Sequence, residues 1–220
     1  MNLPQDVREA TDISAVTQLI LKERQSRDLG LWDDMRDCFH ADSQVRVSWF
    51  RGSGEEFVQG SIDMASRMVN RHRLSPIQVA LSGTRAIATL SAIVDIPAKL
   101  GKVEMNLSIY SRFIYRTEKR EERWHIFSFD AIYLRDEVAP AVPGRSISID
   151  PKELESFRPS YRLLSYVVSR YGYTIASDLP GEDRPETVRA LMREIYSWAG
   201  AKGAPSKIAA SSGSNVAMSA

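Results

Sequence analysis

The 220-residue chain holds three histidines, His40, His72 and His125. Each could move a proton near neutral pH, because an unperturbed imidazole titrates at about 6.5. His40 lies in the polar run HADS and reads as an exposed turn residue. His125 sits mid-strand beside Trp124, where a hydrogen-bonded structural role is the default. His72 falls where a helical pattern gives way to a strand pattern, a junction that can deliver a side chain to a pocket mouth. A second set of chemical groups lies in ISAVTQLILKERQSRDLG. Its apolar positions Ile13, Val16, Leu19 and Ile20 keep helical spacing, and the stripe continues as Glu23, Arg24, Arg27 and Asp28. Asp28 lies near the helix C-terminus, where the macrodipole disfavours a carboxylate. A buried face that turns charged fits a cavity wall. It also fits a solvated surface, since Glu23/Arg27 and Arg24/Asp28 have the i, i+4 spacing of ordinary ion pairs.

The elements that must position these groups follow in order. After a break at Leu29-Gly30, Leu31, Trp32, Met35 and Phe39 mark a short second helix, and a first strand starts near Gln44. RGSGEEFVQG reads as a glycine-rich loop without the spacing of a phosphate cradle. Residues 60–71 read as a third helix, followed by the strand runs HRLSPIQVALS and TRAIATLSAIVDIP around a turn at Ser82-Gly83. In VEMNLSIYSRFIYR, Val103, Met105, Leu107, Ile109 and Phe113 face one way, with Asn106, Ser108, Tyr110 and Arg112 opposite. The last strand, WHIFSFDAIYLRD, puts Trp124, Ile126, Ser128, Asp130 and Ile132 together, with Phe129 and Tyr133 on the other side. The order ααβαββββ with long late strands predicts an α+β fold built on a strongly curved antiparallel sheet.

Composition narrows the class. Lys+Arg number 29 against 28 for Asp+Glu, a net charge of +1, which argues against nucleic acid as a partner. The single cysteine, Cys38, excludes an intramolecular disulfide and reads as a small buried filler. No apolar run approaches the roughly 18 residues of a membrane span, so a cytoplasmic protein with no membrane partner is expected. Histidine and cysteine spacings fit no metal motif, so no metal is expected. Residues 1–138 read as one domain, 139–199 as a helical extension forming a lid or oligomer contact, and 200–220 as a disordered small-residue tail.

The block RDLGLWDDMRDCFHADSQVRVSW, the junction NRHRLSPIQVAL and the final strand ERWHIFSFDAIYLRDE together resemble the SnoaL-like branch of the NTF2-like superfamily. The resemblance implies a cone in which a bent antiparallel sheet wraps onto three helices around a deep apolar pocket, and a homodimer or homotrimer. Several lyases of the group pair an Asp near the end of the first helix with a His after the third, and by position these are Asp28 and His72. A carboxylate on one ring nitrogen fixes the tautomer and stabilises the imidazolium, so the pair can take a proton and return it to a leaving group. No cofactor is then needed. Arg24, Trp32, Asn106, Tyr110, Arg112, Asp130 and Tyr133 are the candidates for binding substrate or the developing charge. The resemblance points to a cofactor-independent lyase, a dehydratase or a deformylating enzyme, acting on a hydrophobic aromatic (lignin-derived diaryl) or polycyclic substrate. The alternatives are a ketosteroid-isomerase-like proton shuttle and a non-catalytic binding or assembly module. One departure is plain: KERQSRD lacks the tyrosine that some dehydratases carry on this helix.

Overall fold

A computed structural model of the chain describes residues 5–200, so the expected tail and the first four residues lie outside the described part. Helix α1 (Gln5–Leu29) leads to α2 (Trp32–Arg36), strands β1 (Phe39–Val47) and β2 (Phe50–Ser53), and helix α3 (Gly54–Ala65). Strands β3 (Arg71–Leu74), β4 (Gln78–Ser82), β5 (Arg85–Leu100), β6 (Val103–Arg120) and β7 (Arg123–Pro140) complete the sheet. Helices α4 (Pro151–Glu155), α5 (Arg162–Val168) and α6 (Pro185–Ala199) form the extension. Among the described residues no helix is long and apolar enough to cross a membrane.

The sheet runs in the order β2-β1-β7-β6-β5-β3, with β4 also on β5, and it is curved. It is mixed rather than wholly antiparallel, because β1 pairs parallel with β7. That pairing joins strands some 80 residues apart, and nothing local in either strand announces it. Strand β1 also starts earlier than its alternation implies. The run HADS is part of the strand, with a register shift between Phe39 and Gln44, and His40 lies on it half-buried. The glycine-rich stretch is likewise ordered as β2 and the start of α3. Ser53 and Glu56 form a reciprocal capping box there, so α3 begins at Gly54 rather than residue 60. Gly54 is required by proximity: a Cβ there would fall 2.4 Å from Ser43 Oγ and 2.8 Å from Phe39 Cβ.

The core lies between the helices and one face of the sheet. Ala86, Ala88, Leu90 and Ala92 of β5 pack there with Met105, Leu107 and Phe113 of β6. A smaller core lies on the opposite face, where Val188, Leu191 and Ile195 of α6 cover Ile87, Ile114 and Ile132. Pro185 opens that helix and Gly200, at φ 65°, closes it. Part of the sheet face opposite the main core is thus covered by the chain's own extension.

Candidate active site

Helix α1 carries its stripe inward as the spacing predicts: Val16 and Ile20 are buried, and so are Glu23, Arg24 and Arg27. Ile13 departs from it, lying 41% exposed one turn beyond the edge of the core. The helix ends at Gly30, whose φ of 74° lets Leu31 N–H reach back 2.8 Å to Ser26 O. This stop leaves Asp28 facing β3. There His72 pairs with Val94 of β5, at the rim of the sheet. The Asp28 carboxylate accepts two hydrogen bonds from His72, one from its backbone N–H to Oδ2 at 2.7 Å and one from Nδ1 to Oδ1 at 2.6 Å. With its proton on Nδ1, the imidazole presents an unprotonated Nε2, whose lone pair accepts from Arg24 Nη1 at 3.4 Å.

Electrostatics favour a neutral base. Burial lowers the His72 pKa below 6.5, and the Arg24 charge lowers it further, against the opposing pull of Asp28. Burial raises the Asp28 pKa, but the hydrogen bonds and charge of His72 outweigh it and hold the carboxyl below 3.8. The side chains are 6% (His72) and 15% (Asp28) exposed.

His72 lines a cavity of about 60 Å³. That is small beside the roughly 300–1,000 Å³ of ordinary ligand pockets, so it suits a compact ligand. Phe57, Phe113 and Phe129 form aromatic walls, and Leu164 and Val168 of α5 close one side. The polar groups inside are few. Arg24 is locked onto the Glu23 carboxylate, to which Tyr115 O–H also donates at 3.3 Å, and its guanidinium carbon sits 5.0 Å from the Phe129 ring centroid. Tyr133 O accepts from Ser48 N–H at 2.7 Å, which leaves its own proton for the cavity, and burial pushes its pKa up to about 12. Ser111 Oγ is buried with no partner among the described residues.

Of the residues singled out by sequence, Asp28, His72, Arg24 and Tyr133 come together here, the last three lining the cavity and Asp28 bonded behind His72. The others do not. Trp32 packs against the core at the start of α2, away from the cavity. Asn106, Tyr110 and Arg112 stand on the β6 face opposite Ile109, Ser111 and Phe113, which line the cavity. There Asn106 donates to Asp95 and Ser108, and Tyr110 O–H donates to Glu137 at 2.7 Å. Asp130 also faces outward, paired with Arg46 at 2.8 Å, and burial raises its pKa. A register shift in β7 separates Ile126 from Ser128, so Trp124 and Ile126 face the main core while Asp130 does not. His125 is not hydrogen-bonded at Nδ1 as expected, and its ring lies 4.8 Å from that of His40. The Cys38 thiol is buried and pushed up to about 12 by that burial. Sequence reasoning missed Asn70 and Ser111, and it left Arg27 out of the candidates although it lies on the same stripe. Ser111 carries a readable signal, as the one polar residue in the otherwise apolar series Met105, Leu107, Ile109, Phe113. Among the described residues no three His, Cys, Asp or Glu side chains cluster as a metal site.

Two proteins of Fusarium vanettenii, a PEP2-like protein and pea pathogenicity protein 2, are 27% and 25% identical over 163 residues, covering 72% of this chain and 70% of their own lengths. The hexachlorocyclohexane dehydrochlorinase LinA-type3 from Novosphingobium barchaimii superposes with a TM-score of 0.52 at 13% identity, over 67% of this chain and 100% of its own. A scytalone dehydratase candidate from Novosphingobium aromaticivorans gives 0.50 at 12%, over 64% and 95%. At such identities the structural likeness carries the fold alone. The description "SnoaL-like domain" matches residues 8–130, more than half of the sequence. With that match and an NTF2-like arrangement of sheet and helices, the chain belongs to the SnoaL-like domain family.

Proposed function

We propose that the protein is a cofactor-independent lyase that removes water from a hydrophobic aromatic alcohol, with His72 as the proton-transfer group and Asp28 as its positioning partner. The observation that carries this reading is the 2.6 Å contact from His72 Nδ1 to Asp28, with His72 lining a cavity of aromatic walls. In the proposed step Nε2 takes a proton from the carbon beside the hydroxyl-bearing carbon. The C–H electron pair becomes the new C=C bond and the C–O bond breaks. The departing hydroxyl takes the proton from the imidazolium and leaves as water, so His72 returns to its neutral state. Asp28 stays ionised and holds Nδ1–H throughout. General acid–base assistance of this kind is worth roughly 10²–10⁴-fold. Arg24 Nη1, whose hydrogen bond to Nε2 the substrate would displace, and the Tyr133 hydroxyl are donors for charge that develops on the substrate. A dehydrochlorinase and a dehydratase candidate among the structural neighbours bear names for the same class of elimination, which supports the reading.

The test is a product screen by mass spectrometry with one- and two-ring benzylic and β-hydroxy aromatic alcohols. Loss of one water is expected from the native chain and not from His72→Ala or Asp28→Asn. Equal conversion by either variant, with its fold intact, contradicts the assignment.

A further inference from the structure

Arg27 is the feature of the cavity that this reading leaves unused. It is 4% exposed, lines the cavity, and makes no ion pair with any described residue. The two nearest acids along the helix are already engaged, Glu23 by Arg24 and Asp28 by His72. What Arg27 does touch is neutral. With the Asn70 amide oriented to satisfy both of its groups, Nη2 donates to Asn70 Oδ1 at 3.2 Å, and the same nitrogen lies 3.6 Å from Met64 Sδ. Nε and Nη1 have no hydrogen-bond partner among the described residues. A buried guanidinium with free N–H groups and no ion pair of its own is costly, and the nearby Asp28 and Glu23 offset only part of that cost. Its planar fork suits the two oxygens of a carboxylate better than a single neutral acceptor. Phe57, Phe113 and Phe129 line the same cavity and supply faces for an aromatic ring.

We propose that Arg27 is the docking point for a carboxylate carried by the cavity's aromatic ligand, so that the ligand class is an aromatic acid. The proposal refines the substrate of the lyase reading, and it is tested by binding, which needs no turnover. Calorimetric titration would compare benzoate, cinnamate and 1-naphthoate with their neutral carboxamides in the native chain and in Arg27→Met. At least one acid is expected to bind about tenfold or more tightly than its amide, the scale of one charge-assisted pair. That preference is expected to fall to within about twofold in Arg27→Met. Equal affinity of acid and amide in the native chain overturns the proposal, as does a preference that survives Arg27→Met or the absence of saturable binding by all three acids. The native-chain comparison decides the matter even if the variant misfolds. Should acids bind through Arg27 while no alcohol is dehydrated, the lyase reading fails alone. Should His72-dependent dehydration occur without acid preference, the Arg27 assignment fails alone.

Discussion

Replacing Arg27 by Met is expected to make the ligand-free protein more stable, although it removes a charged side chain and its hydrogen bond. Burial, with Arg24 adding like-charge repulsion, lowers the Arg27 pKa from 12.5 to about 10. Its folded value lies below its unfolded one, so the unfolded chain holds the proton more firmly and the penalty is present in full at neutral pH. That displacement corresponds to a penalty of about 3 kcal/mol for keeping the charged group inside. Methionine fills much of the same volume and removes the penalty. The change leaves Asn70 Oδ1 without its donor, a loss of roughly 1–2 kcal/mol. The net expectation is about 1–2 kcal/mol of added stability, or roughly 2–8 °C in Tm for a chain of this size. Thermal unfolding followed by circular dichroism at pH 7, without ligand, measures it. A Tm that falls would refute the reasoning, because it would mean that Arg27 is a structural partner rather than an unmet charge.

Other outcomes follow from the same structure. Because the His72 pKa lies below 6.5 and that of Asp28 below 3.8, both groups stabilise the fold at higher pH. The His72 part is lost as pH falls through 6.5 and the Asp28 part below 3.8, while Asp136, raised by burial to about 6, works in the opposite sense between those values. From about pH 7 down to 5 the urea midpoint of His72→Asn should therefore rise relative to that of the native chain, and an unchanged difference would count against a buried neutral imidazole. Gly54→Ala forces a Cβ toward Ser43 Oγ and Phe39, and should cost about 1–3 kcal/mol in denaturant titration. Leu191→Asp removes a buried anchor of α6 and should cost roughly 2–5 kcal/mol. It should also expose Ile87, Ile114 and Ile132, so that light scattering detects larger species.

Much of this fold is legible in the residues. The alternation in β5 and β6 and the stripe of α1 identify the faces that pack, because each is a local period repeated over several turns or pairs. The break at Gly30 is readable for the same reason. What escapes is non-local or masked. The parallel pairing of β1 with β7 has no local signature. The Ser53–Glu56 capping box stands in the sequence, but two adjacent glycines make its neighbourhood read as loop. The irregularity in β7 turns Asp130 away from the face that alternation alone cannot assign. The site itself shows a subtler lesson. Polar residues on β6 draw attention to Asn106, Tyr110 and Arg112, yet a cavity on an apolar sheet face is lined by the other set. The chemically informative polar groups there are the exceptions to an apolar pattern, Ser111 on the strand and Arg24 and Arg27 on the helix.

The account rests on a neutral His72 whose Nδ1 proton is held by Asp28 and whose Nε2 carries no proton. Long-range ¹H–¹⁵N correlation on the ring nitrogens of His72 reads that state directly, without any substrate. The account predicts a protonated Nδ1 and an unprotonated, pyridine-like Nε2 at pH 7, with that distinction lost in Asp28→Ala. A ring protonated on Nε2, or on both nitrogens at pH 7, would contradict it.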